Sequence, residues 1–120
     1  PHHLLVLDQT RLDSGNPIAG LRDSGWIVVN SADPPVTLGI VPRFRVATVD
    51  ATRIAMRHGL GTAAQPVVNT AILGAFVRAT GIVELPELLK AIEYEVPAME
   101  EENCRAATEA YEEVVMGVGV

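Results

Sequence analysis

Three short apolar runs, each closed by a polar residue, constrain this chain more than any other feature. Leu4 to Leu7 runs into Asp8, Trp26 to Val29 into Asn30, and Val46 to Val49, interrupted only by Thr48, into Asp50. Continuous rather than alternating apolarity marks strands covered on both faces, as in a parallel sheet. Parallel neighbours finish at the same edge, so Asp8, Asn30 and Asp50 are expected along one rim. Ligands of open parallel sheets bind outside that edge. A row of Asp, Asn and Asp there can hydrogen-bond ribose hydroxyls, amides or backbone donors. The same side chains also have ordinary local uses, Asp50 as a helix N-cap and Asp8 and Asn30 as turn residues.

Between the first two runs, Asn16-Pro17 suits the start of a short helix or turn, and Ser24-Gly25 turns the chain into the second strand. Residues 33–43 carry Pro34, Pro35, Gly39 and Pro42 and read as a loop. From Asp50 onward the pattern is helical. A first helix runs to about His58 and stops at Gly59. A second, residues 67–80, follows Gln65-Pro66 and is closed by Gly81; it is apolar nearly all round and therefore buried on most sides. Its Ala71, Gly74 and Ala75 share a face that lets another backbone come close. Asn69 and Thr70 are the polar exceptions in its first turn. There, unpaired N–H groups and the positive dipole end suit an anion or a subunit loop, unless the two side chains satisfy nearby backbone instead. Pro86 opens a third helix with Leu88, Leu89 and Ile92 inward. Glu100 to about Val115 forms a fourth, with Cys104, Ala107, Tyr111 and Val114 on one stripe. Met116 to Val120 reads as a tail without structural signal. Three strands are few for so much two-sided apolarity, so further strands upstream or a covering partner are expected.

Several function classes are disfavoured. Residues 1–83 hold 7 Arg and 5 Asp, a balance of +2, whereas residues 84–120 hold 2 basic and 10 acidic residues, a balance of −8. Such an acidic tail does not suit nucleic acid, whose phosphates need clustered basic side chains. No apolar run approaches the roughly 18 residues of a membrane span, and no basic segment precedes the first apolar run as in a signal peptide. The single cysteine, Cys104, allows neither an internal disulfide framework nor an all-cysteine metal site within this chain, and a reducing cytoplasm is the simplest compartment. His2, His3 and His58 lack metal-ligand spacing. Gly59-Leu60-Gly61-Thr62-Ala63-Ala64 matches G-x-G-x-x-A literally, but it follows a helix rather than a strand and reads as a helix-ending loop. A receiver-type signalling domain also carries Asp at strand ends, yet the only lysine, Lys90, lies in a late helix.

A long motif adds a family resemblance. Pro66-Val67-Val68-Asn69-Thr70-Ala71-Ile72-Leu73-Gly74-Ala75-Phe76, followed by Ala79-Thr80-Gly81, resembles the P-V-V-N-T-A-[ML]-L-G-A-F and A-T-G segments of gamma subunits of 2-oxoacid:ferredoxin oxidoreductases. In the same order, Leu7-Asp8-Gln9-Thr10 is similar to the family's strand end. Gly20-Leu21 through Gly25-Trp26-Ile27-Val28-Val29-Asn30 is similar to its G-L-x-x-G-G-x-[IV]-[IV]-x-N, with Ser24 in place of a glycine. Val49-Asp50-Ala51-Thr52 with Ile54-Ala55 is similar to its V-D-A-T-x-I-A. The family's opening G-x-G-G-Q-G loop is not among these residues. The resemblance therefore implies that 1–120 are the C-terminal two thirds of a single gamma-type domain, an α/β Rossmann-like three-layer sandwich with a mostly parallel sheet, incomplete at its N-terminus. It implies oxidative decarboxylation of a 2-oxoacid to an acyl-CoA, with electrons passed to ferredoxin. Thiamine diphosphate and iron–sulfur clusters would sit in partner subunits or domains. This piece would cap the active site and help bind coenzyme A, through Asp8, Asn30, Asp50, Asn69 and Thr70. The alternative is a non-catalytic interaction domain whose helix 67–80 docks on partner chains.

Overall fold

A computed structural model describes residues 3–8, 25–38, 45–61 and 67–118. Strands β1 (Leu4–Val6), β2 (Trp26–Asn30) and β3 (Arg45–Val49) form where the apolar runs predict them, and a fourth, β4 (Val115–Val118), joins the sheet among the described residues. The strand order is β1-β2-β3-β4. β1 and β2 are parallel, with Leu4 opposite Ile27 and Val6 opposite Val29. β2 and β3 are parallel, with Trp26 opposite Arg45 and Asn30 opposite Val49. β4 runs antiparallel to β3, with Val115 opposite Thr48. Residues 116–118 of the expected tail are thus strand, together with Val115, where the fourth helix is expected to end. The pairing of β4 with β3 occupies the outer backbone groups of that strand, a long-range reward invisible in so short a run.

The two-sided burial inferred from continuous apolarity holds for β2 and β3, where Ile27, Val28 and Val29 are fully buried and Val46 to Val49 nearly so, but only in part for β1, whose Leu4 and Leu5 are half-buried and whose run ends on an exposed Leu7. Val28, Ala47 and Val49 face the helices and pack with Ile54, Ile72, Ala75, Ala106 and Ala110. Val6, Ile27, Val29 and Val46 face the other way, against Leu38. Leu38 ends a 3₁₀ turn, Pro35–Leu38, inside the stretch expected to be plain loop. The expectations for residues 16–21 and 39–43 lie outside the described residues.

Four helices follow: α1 (Ala51–Arg57), α2 (Asn69–Thr80), α3 (Leu85–Glu95) and α4 (Glu100–Glu113). Asp50 caps α1 by accepting from the Arg53 N–H at 3.0 Å, and Gly59, at φ +70°, lets the chain leave it. α2 begins at Asn69 rather than at Val67, whose N–H is taken by the Leu60 carbonyl at 3.1 Å. It is the centre of the helical layer, burying Ala71, Ile72 and Ala75 toward the sheet and Val77 toward α3 and α4. Gly74 is where α4 crosses: a Cβ there would lie 1.8 Å from the Ala107 carbonyl oxygen. The small face read from Ala71, Gly74 and Ala75 therefore admits a backbone, that of α4. The stripe expected on α4 is displaced, because its buried residues are Asn103, Ala106, Ala107 and Ala110. Close approach at Gly74 selects the alanines for the contact and leaves Cys104 and Tyr111 half-buried, packed with Leu88 and Ile92.

Candidate functional site

Parallel pairing puts the carboxyl ends of β1, β2 and β3 on one edge. Asp8, Asn30 and Asp50 share that rim, as their position after the apolar runs predicts. Their local roles differ. Asp8 is exposed, two residues beyond β1. Asn30 closes β2 on the helix side of the sheet. Its amide nitrogen donates to the Leu7 carbonyl at 3.2 Å and to the Thr52 hydroxyl oxygen at 3.0 Å. Its amide oxygen accepts from the Ala51 N–H at 2.9 Å. Asp50 caps α1 and also faces the Arg53 guanidinium at 3.8 Å.

Asn69 and Thr70 open α2, Asn69 exposed and Thr70 half-buried, after an N-cap position (Val68) that makes no side-chain capping bond. Neither is hydrogen-bonded to the rim among the described residues. α2 is anchored elsewhere: at its entry Val67 is tied to Leu60, and further along Phe76 meets the His3 ring edge-on at 6.1 Å, at the amino end of β1. Of the five expected residues, Asp8, Asn30 and Asp50 thus stand on the rim, and Asn69 and Thr70 open α2 without a described hydrogen bond to it.

A cavity of about 330 Å³ opens beside the rim, lined by Ser31, Thr48, Asp50, Arg53, Glu113 and Val115 among others. Of the five expected residues, Asp50 alone lines it. Ser31 and Thr48 are buried there, and the Ser31 hydroxyl accepts from the Asp33 N–H at 3.0 Å. In the sequence Ser31 lacks a nucleophile-elbow pattern and Thr48 is only an interruption in an apolar run, so neither points to a cavity.

A charged network joins α1 to α4, and the sequence reading missed it. Arg53 binds Glu113 at 2.7 Å, Arg57 pairs with Glu109, and His58 Nε2 meets Glu109 Oε1 at 2.8 Å. Burial, then the neighbouring Glu113, pushes Glu109 above the usual carboxylate range. The hydrogen bond with Glu109, then Arg53, holds Glu113 below it. The available signal was spacing: Arg53 and Arg57, like Glu109 and Glu113, stand four apart on one helix face. On the far side of this network, a cavity of about 700 Å³ is lined by His58, Glu93, Glu101, Cys104, Arg105 and Glu109, among others. The Cys104 thiol faces the Leu89 carbonyl at 3.6 Å. Burial, then Glu93 and Glu100, pushes its pKa up, which disfavours the thiolate a nucleophile needs. No helix among the described residues is long and apolar enough to cross a membrane.

A mostly parallel sheet with helices packed on its face and polar residues outside its strand ends defines a layered α/β protein. The chain belongs to the pyruvate ferredoxin/flavodoxin oxidoreductase family, which it matches over residues 1–113. It is 38% identical over 120 residues to the pyruvate synthase subunit PorC of Methanocaldococcus jannaschii, covering 99% of this chain and 63% of that protein. It is 40% identical over 117 residues to the common subunit gamma of the pyruvate/ketoisovalerate oxidoreductases of Pyrococcus furiosus, covering 93% of this chain and 60% of that one. The crystal structure of the pyruvate oxidoreductase subunit PORC of Thermotoga maritima superposes with a TM-score of 0.80 at 33% identity, covering 98% of this chain and 65% of that chain. The chain therefore spans less than two thirds of the length of these relatives.

Proposed function

We propose that this chain works as the larger part of a gamma-type subunit in a 2-oxoacid:ferredoxin oxidoreductase. The observation that carries the reading is the family match over residues 1–113, joined to a polar rim at the carboxyl edge of a parallel sheet. Relatives that bear the name PorC or gamma are subunits, so other subunits are the natural partners, with ferredoxin reached through the assembly. The share of the relatives that is covered supports residues 1–120 as about two thirds of one gamma-type domain. The reaction is the oxidative decarboxylation of a 2-oxoacid to an acyl-CoA, in the cytoplasm.

Division of labour follows from the residues present. An iron–sulfur cluster needs several cysteine thiolates, and these 120 residues hold one cysteine. Clusters therefore fit other parts of the enzyme, the family resemblance places thiamine diphosphate there too, and this chain would contribute binding and positioning. Coenzyme A presents phosphates, a ribose and amides along an extended molecule. The rim at Asp8 and Asp50, braced by Asn30, suits its hydroxyls and amides. The first turn of α2, at Asn69 and Thr70, carries the donor-rich helix end that suits its anionic groups. This part caps the active site while the coenzyme is held.

The test is steady-state kinetics of the assembled enzyme carrying Asp8→Ala or Asn69→Ala. Loss of one hydrogen bond should raise the KM for coenzyme A roughly three- to tenfold, with the melting temperature kept. A lowered melting temperature with unchanged KM would leave only the second reading, a structural cap. One observation favours that second reading: Asp50 and Asn30 are both engaged inside the fold.

A further inference from the structure

We infer that Asn30 is a positioning residue that clamps the rim together and does not itself contact the coenzyme. Its link to coenzyme A rests on the function proposed above. Asn30 has two amide hydrogens, and both are committed, to the Leu7 carbonyl and the Thr52 hydroxyl. The orientation of the amide is fixed by its third partner: the Ala51 N–H can only donate, so the atom 2.9 Å away is the oxygen. The three bonds tie the end of β2, where Asn30 stands, to two other segments, the exit of β1 and the start of α1. Ala51 is the first residue of α1, so Asn30 satisfies one of the N–H groups left orphaned by a seven-residue helix, and Asp50 satisfies another at Arg53. Only one lone pair of the Asn30 oxygen remains for any ligand. The clamp sets the spacing between Leu7-Asp8 and the start of α1, and the flanking groups, Asp8 foremost, meet the ligand. The pairing also gives one physical role to two motif segments far apart in sequence, Val28-Val29-Asn30 and Asp50-Ala51-Thr52.

The experiment uses the full-length subunit in the assembled oxidoreductase, with Asn30→Ala, Asn30→Asp and Thr52→Val. Amide hydrogen exchange is followed at residues 5–8 and 51–53, and KM for coenzyme A is measured beside kcat. Aspartate can still accept from the Ala51 N–H but cannot donate to the Leu7 carbonyl. The clamp therefore predicts exchange near residue 51 about tenfold faster in Asn30→Ala and close to wild type in Asn30→Asp. It predicts faster exchange at the β1 exit in both. KM should rise in both variants with kcat nearly constant, and Thr52→Val, which keeps the Asn30 side chain, should reproduce a smaller part of the rise. Raised KM with exchange unchanged, and a silent Thr52→Val, would overturn the clamp and make Asn30 a direct contact. Altered exchange with KM unchanged in every variant would overturn the coenzyme role and leave the clamp as architecture. Should Asn30→Ala fail to assemble, the Asn30→Asp and Thr52→Val comparison decides alone.

Discussion

Glu109 and Glu113 lie one turn apart on α4 and respond oppositely to the same surroundings. Glu109 is raised by burial and by Glu113, whereas Glu113 is lowered by Glu109 and Arg53. A carboxyl raised in the folded state contributes stability below its ordinary value of 4.5 and loses that contribution as pH rises through its folded value. Glu113 has the reverse sign: its contribution is complete above the ordinary value and is lost as pH falls through its lower folded value. Of the two, it is therefore the Glu109 contribution that changes above pH 4.5, and it makes stability fall as pH rises. Glu109→Gln should flatten that fall, measured as urea midpoints across that range. A slope identical to that of the unaltered chain would mean that Glu109 titrates as in the unfolded state. The four-residue spacing of the paired charges was legible in the sequence. Their partnership was not, since Arg57 and Glu109 are 52 positions apart and nothing local fixes which helices meet.

At the scale of the element, α2 against α4 is the contact on which the helical layer depends. A Cβ at residue 74 would lie 1.8 Å from the Ala107 carbonyl oxygen, far inside any real contact, and the obstacle is backbone rather than a mobile side chain. Gly74→Ala should thus destabilise by about 1–3 kcal/mol through overpacking, and Gly74→Leu by more. Thermal melts of the two variants, with Gly81→Ala as a comparison, would show it. Gly81 has open space around its Cβ position and a φ of +66°, so its cost is backbone strain alone, about 1 kcal/mol. A Gly74→Ala melt no lower than that of Gly81→Ala would contradict the close crossing. The small face of α2 could be read from Ala71, Gly74 and Ala75, because small residues at helical spacing have one obvious use. The partner face is read only in part: Ala107 of the expected stripe is at the crossing and Cys104, Tyr111 and Val114 pack at its margins, but the closeness of the backbones at Gly74 also brings in Ala106 and Ala110, whose small size gives no signal in the sequence.

For the whole molecule, the parallel core was legible because Ile27, Val28 and Val29 admit no exposed face, and the rim followed from it. The outer strand was not. Val115-Met116-Gly117-Val118 contains a glycine, is short, and leaves Val115 and Met116 substantially exposed. Its identity comes from β3, whose outer edge would otherwise present unpaired backbone beside a buried Val46-Ala47-Thr48-Val49 run. Along an antiparallel edge strand, the N–H of one residue points into the sheet and that of the next points away. Proline lacks the N–H. Met116→Pro and Gly117→Pro should therefore differ sharply: the one whose N–H bonds to β3 loses a ladder bond and leaves a carbonyl of β3 unpaired, a difference of about 1–3 kcal/mol. Urea denaturation of both variants measures it. Equal, small losses would mean that β4 adds little to the sheet, whereas one large and one small loss would place this late strand among the elements that hold the rim cavity's far wall at Val115.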